Sequence, residues 1–130
     1  MCVSVCKQFD YHVCDQRFFN LGTRSSQVHM ARLRMQCSNL NHHLCLRFIK
    51  DDPKCQCGHD IENSEHFLFH CSEFDNIRND TLATIDLELD LRTCLYGNPE
   101  LTDSDNKKIC NVVMSYIARS KRFFNGDIEE

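Results

Sequence analysis

The chain has 130 residues with 15 basic and 19 acidic side chains, ten cysteines, seven histidines and no tryptophan. That length suits one domain with a modest core, and no apolar run approaches the roughly 18 residues of a membrane span, which argues against a membrane partner. The opening residues break to charge at Lys7 and Asp10 before any apolar run forms. With no export signal read there, an intracellular location, cytoplasmic and/or nuclear, is expected, with thiols kept for metals or core rather than for a disulfide framework.

In SSQVHMARLRMQCSNLNHHLCLRF the apolar positions Met30, Leu33, Cys37, Leu40 and Leu44 recur at steps of three and four, which predicts a helical stripe. Ser25 or Ser26 can cap its start. The Ser38–Asn39 pair competes for backbone donors and splits the run into two helices, the second ended by Asp52–Pro53. After a cysteine-rich interval, Ser72 can cap a helix through SEFDNIRNDTLATI that offers Phe74, Ile77, Leu82 and Ile85 to the core. Gly97–Asn98–Pro99 reads as a turn. The last helix, LTDSDNKKICNVVMSYIARSKRF, starts acidic, ends basic in accord with the helix dipole, and buries Ile109, Val112, Val113, Tyr116 and Ile117. Cys37, Cys94 and Cys110 lie on or beside apolar stripes and read as core.

Charge is unevenly spread. Residues 24–54 hold six basic side chains (Arg24, Arg32, Arg34, Arg47, Lys50 and Lys54) against two acidic ones, and residues 56–106 hold two basic against twelve acidic. Residues 107–122 hold five basic and no acidic side chains. Such runs are most often solvated helix faces; gathered on one side they would form a face for phosphates.

The interval CQCGHDIENSEHFLFHC has the spacing Cys-x-Cys-x8-His-x4-Cys over Cys55, Cys57, His66 and Cys71. Two thiols one residue apart must converge from a tight turn, for which Gly58 supplies the backbone freedom. Asn63 or Ser64 can cap a short helix from Glu65 that carries His66 toward Cys71, while Phe67, Leu68 and Phe69 seat the loop on the helices. Three thiolates and an imidazole with no vacancy describe structural zinc, Zn2+ standing in for a core too small to form. A Cys55, Cys57, His66, His70 set is the alternative, since His66 and His70 are one helical turn apart, and idle thiols are the bland reading. His59 sits too close to Cys57 to reach round. A second grouping of Cys2, Cys6, His12 and Cys14 lacks a glycine turn.

The run FFNLGTRSSQVHMARLRMQCSNLNHHLCLRF, followed by CQCG, EHFLFHC, EFDNIRND, LYGNPELTDSDNKKI and YIARSKRF, resembles the C-terminal tail of reverse transcriptases of non-LTR (LINE-type) retrotransposons. The likeness covers residues from about Phe9 to Phe124. It implies a Cys-Cys-His-Cys zinc knuckle at Cys55, Cys57, His66 and Cys71 that grips RNA or target DNA. Such tails often have proline after the last ligand, where this chain has Ser72. The polymerase's paired aspartates have only a superficial counterpart in FIKDDPK, where Ile49 replaces the usual aromatic residue and Pro53 follows at once, so no catalysis is expected.

The expected fold is therefore mainly α, a small helical domain with an inserted Cys-Cys-His-Cys knuckle. Residues 1–52 would form an N-terminal segment and basic helix pair, 53–72 the knuckle, and 73–130 the C-terminal helices. The expected role is non-catalytic binding of RNA or DNA through Arg24, Arg32, Arg34, Arg47, Lys50 and Lys54. Docking on the reverse transcriptase core as a protein-interaction module, or a relic without activity, are the alternatives.

Overall fold

The computed structural model describes residues 22–123, and in that span the chain is mainly helical, with no strand. Helix α1 (Arg24–Arg34) is capped by Thr23, whose extended backbone lets its hydroxyl accept the Ser26 N–H at 3.1 Å. The expected caps Ser25 and Ser26 instead lie inside the first turn, Ser25 buried. The break at Ser38–Asn39 is present, and α2 (Asn41–Leu46) follows it. Both helices end in a Schellman motif, with a left-handed residue after the cap. In α1 the Cys37 N–H reaches the Arg32 carbonyl (2.8 Å) past Gln36 (φ 56°); in α2 the Ile49 N–H reaches the Leu44 carbonyl (2.9 Å) past Phe48 (φ 60°).

The second helix therefore stops well before Asp52–Pro53, and the proline only shapes the loop beyond. The left-handed turn at Gln36 also takes Cys37 off the helical stripe. Cys37 is half-buried and disulfide-bonded rather than a free core thiol, whereas Cys94 and Cys110 are buried as expected.

The single helix expected after Ser72 is divided into a 3-10 turn (Ser72–Phe74), helix α3 (Asp75–Asp80) and a second 3-10 turn (Leu82–Thr84). Ser72 makes no side-chain cap. The break falls at Thr81, whose hydroxyl donates to the Ile77 carbonyl at 2.7 Å and whose backbone leaves the helical region. Leu82 is buried, and Phe74, Ile77 and Ile85 pack at the core's edge. Helix α4 (Leu91–Tyr96) was not expected as a separate element; Asp90 caps it by accepting the Thr93 N–H at 2.7 Å, and Gly97 (φ 82°) ends it in the predicted turn.

The long helix α5 (Asp103–Ser120) begins at Thr102, with Asp103 and Asp105 in its first turn and Arg119 in its last. Ile109, Val113, Tyr116 and Ile117 are fully covered. One apolar cluster links α1, α4 and α5 to the cysteine-rich loop, with Met30, Leu33, Phe67, Leu68, Leu95 and Tyr116 at its centre. No helix among the described residues is long and apolar enough to cross a membrane.

Candidate metal centre

The cysteine-rich loop is built from two short turns held against each other. In the first, the Gly58 N–H donates to the Cys55 carbonyl (3.0 Å) and the Cys55 N–H to the His59 carbonyl (2.9 Å). This places Cys55 and Cys57 on one tight bend. Gly58 has φ 103°, and a Cβ there would meet nothing within 4 Å, so the backbone conformation and not space calls for glycine.

In the second turn, the Asn63 side chain accepts the His66 N–H at 2.8 Å, the expected cap. Residues His66–His70 then form a π-helical turn closed by the Cys71 N–H on the His66 carbonyl at 2.8 Å. The widening has a consequence for ligand geometry. On an α-helix, residues five apart point about 140° away from each other. A turn that closes at i→i+5 brings them back toward one side.

Cys55, Cys57, His66 and Cys71 accordingly form a cluster able to hold a metal ion, their ligand atoms all within 4.8 Å of one another. The Cys55 and Cys71 sulfurs lie 3.6 Å apart, and Cys57 Sγ lies 3.3 Å from His66 Nε2. His70 takes no part; its side chain is 61 % exposed, with Nε2 at 3.8 Å from Glu65. His59 stacks on the His66 ring at 4.2 Å without joining the cluster. The grouping of Cys2, Cys6, His12 and Cys14 lies outside the described residues.

Burial pushes the Cys71 thiol up to about 12 and also raises Cys55. Burial likewise acts to raise Cys57, but hydrogen bonds from the His59 backbone and the neighbouring thiols outweigh it and lower that group. His66 is lowered, chiefly by burial, which keeps its imidazole neutral and its Nε2 lone pair available. Three crowded sulfurs of this kind ionise together only beside a cation.

Residues that carry no ligand atom hold the cluster in place. The guanidinium of Arg78 donates to the carbonyls of Leu68 (2.9 Å) and Cys71 (2.9 Å), and pairs with Asp75 at 2.6 Å. The Tyr116 hydroxyl donates to the Phe67 carbonyl and accepts from Arg78 at 3.1 Å. Together they satisfy the carbonyls that the end of the π turn leaves open. Phe67 meets Phe74, Tyr116 and Phe123 edge-on at 5.2–5.4 Å, seating the turn on α5.

On the other side, Glu62 is 3 % exposed and receives a two-pronged contact from Arg122, at 2.7 Å and 2.9 Å. It also accepts the Asn41 N–H at 2.8 Å and lies 3.9 Å from Cys55 Sγ. His43, buried between Ser38 Oγ (2.6 Å) and Ser64 Oγ (3.4 Å), joins the interhelical break to the loop. Burial, with the positive Arg47 and the neighbouring His42, lowers it to about 3. The sequence reading missed Glu62, Tyr116 and Arg122 as supports because each meets its partners across the fold, and Arg78 because its carbonyl partners lie beyond its own helix. Arg78, one of only two basic residues within the acidic interval, was the one available signal.

The six basic candidates are dispersed. Arg34 is 8 % exposed, its Nε donates to the Leu95 carbonyl, and its own carbonyl accepts the Tyr96 hydroxyl at 2.9 Å, locking α1 to α4. Arg47 donates to the Ser38 carbonyl at 2.7 Å. Arg34 is thereby buried in a structural contact, a correction to its expected phosphate contact, while Arg47 is half-buried with its guanidinium partly engaged. Arg24, Lys50 and Lys54 are exposed and Arg32 is half-buried. Lys50 borders a polar groove of about 630 Å³ beside Cys55 and Cys71, which Lys121 and Arg122 also line.

Compared with known proteins, the chain matches no family, no curated protein and no solved structure.

Proposed function

We propose that this chain is a non-catalytic, zinc-stabilised module that binds RNA or DNA through phosphates in the groove beside the metal. A Zn–S bond of about 2.3 Å implies sulfurs about 3.8 Å apart around a tetrahedral ion, and the 3.6 Å between Cys55 and Cys71 is close to that. Three sulfurs and one nitrogen complete such a site with no position left for substrate, so the metal's role is structural.

The observation that carries the binding reading is the groove itself. The two basic stretches, separated in sequence by an acidic one, both line it, the first through Lys50 and the second through Lys121 and Arg122. Glu73 also borders it, and Glu62 is neutralised by Arg122. With Glu73 set against Lys50 and Lys121, the groove keeps a net charge of about one positive unit, and the affinity is low. The motif resemblance to reverse transcriptase tails supports the same reading and a common origin with them.

The test is a binding isotherm for a single-stranded oligonucleotide on the zinc-loaded chain at two salt concentrations. Two phosphate contacts on a single strand give a log–log salt slope of about −1.4, or about a sevenfold loss of affinity between 50 and 200 mM salt. Lys50→Glu combined with Lys121→Glu is expected to abolish most of the binding. Unchanged binding and slope in that variant would refute the groove. Reversing Arg32 and Arg34 is a poorer test, since Arg34 holds α4.

A further inference from the structure

The Schellman turn that ends α2 places Phe48 in the left-handed region (φ 60°), with its N–H on the Cys45 carbonyl at 3.0 Å. That position favours glycine, and a bulky side chain there costs about 1 kcal/mol or more. Packing does not offset this: Phe48 is 80 % exposed and the following Ile49 is 65 % exposed. The backbone thus holds an aromatic ring out in water, at a conformational cost, in a turn fixed by two main-chain hydrogen bonds. Two residues further on stands Lys50, which borders the groove and whose Nζ is positioned by Asn41 Oδ1 at 2.8 Å. At most about 7 Å of backbone separates the two residues, a span within reach of one nucleotide.

We propose that Phe48 is a stacking platform for an unpaired base of the strand whose phosphates lie in the groove at Lys50 and Lys121. This rests on the binding reading above and names its ligand as single-stranded rather than duplex nucleic acid, because only an unpaired base offers a free face to the ring. A protein partner fits the patch less well. Phe48 and Ile49 are followed directly by Lys50, Asp51, Asp52 and Lys54, all exposed, whereas the buried centre of a protein interface is depleted of charge. The two aspartates work against phosphate. Asp52 is partly engaged, accepting the Lys54 N–H at 3.0 Å, so the strand must pass on the Lys50 side of the loop.

Two substitutions at one residue test this. Phe48→Gly relieves the left-handed backbone, so it is expected to fold with an unchanged or higher melting temperature while binding a 12-nucleotide oligo(U) about 5- to 150-fold more weakly, the value of one lost stack. Phe48→Trp keeps a stacking face and introduces a single tryptophan into a chain that has none. Its fluorescence is expected to be quenched by oligo(U) and not by inorganic polyphosphate.

Wild-type affinity in Phe48→Gly, or no quenching in Phe48→Trp, overturns the platform. If the Lys50→Glu, Lys121→Glu variant loses binding while Phe48→Gly keeps it, the groove stands and the stacking falls. If the wild type binds no oligonucleotide at low salt, both fall. If sedimentation shows the wild type self-associating and Phe48→Gly monomeric, the ring is a protein contact and the platform is wrong.

Discussion

Replacing Arg122 with Met isolates the link between the metal loop and the end of α5. In the wild type the guanidinium makes two short contacts to Glu62 and a third, at 3.1 Å, to the Asn39 carbonyl. Removing it leaves a carboxylate that is 3 % exposed with the Asn41 N–H as its remaining short contact. Breaking a buried pair from one side typically costs about 3–5 kcal/mol. Because the Arg122 side chain is 23 % exposed, water can replace part of what is lost, and about 2–3 kcal/mol is the expected figure.

For a domain of this size that corresponds to a fall in melting temperature of roughly 8–20 °C. Thermal and urea denaturation of the metal-loaded chain measures it. Adding Glu62→Gln to Arg122→Met removes the stranded charge and is expected to restore at least half of the loss. A single-variant loss below about 0.5 kcal/mol, or a double variant no better than the single, would show that Glu62 does not depend on this partner.

The purified chain is expected to carry one zinc per molecule by elemental analysis and to unfold on chelation, since the loop has little core of its own. Cys71→Ser should lose the metal and His70→Ala should keep it; the reverse outcome would restore the two-histidine site. Arg78→Met should cost about 2–3 kcal/mol by stranding the Leu68 and Cys71 carbonyls, read as a lower urea midpoint, with zinc affinity falling in parallel. His43 is held neutral in the fold down to pH about 3 but takes a proton at about 6.5 when unfolded. Its contribution is therefore complete above pH 6.5 and is lost as pH falls toward 3, by up to about 1.4 kcal/mol per pH unit. His43→Gln should flatten the stability profile across that window relative to the wild type; identical slopes would refute the assignment.

Local rules account for what could be read directly. A 3.6-residue stripe identified α5 and both halves of the first helical pair, because alternating burial is imposed wherever a helix lies on a core. The Cys-x-Cys turn, Gly58 and the Asn63 cap were legible for the same reason: each is satisfied within a few residues of chain. Helix α4 escaped notice because its six residues carry the period for little more than one turn and, unlike those of α2, extend no longer stripe, and the end of α2 was misplaced because Phe48 occupies a position that glycine normally marks.

The ligand spacing named Cys71 as the fourth ligand, with His70, one α-helical turn from His66, as the alternative. What the fold adds is how Cys71 comes round to His66: a π turn, whose freed carbonyls are taken up by Arg78 and Tyr116, brought in from α3 and α5. The basic residues divide on the same principle. Composition supplied six candidates, but charge count carries no information about which guanidinium faces a buried carbonyl and which ammonium faces water. Tertiary packing commits Arg34 to the interior and draws Lys50 and Lys121 to one groove, since a partner distant in sequence becomes a neighbour only once the core has closed.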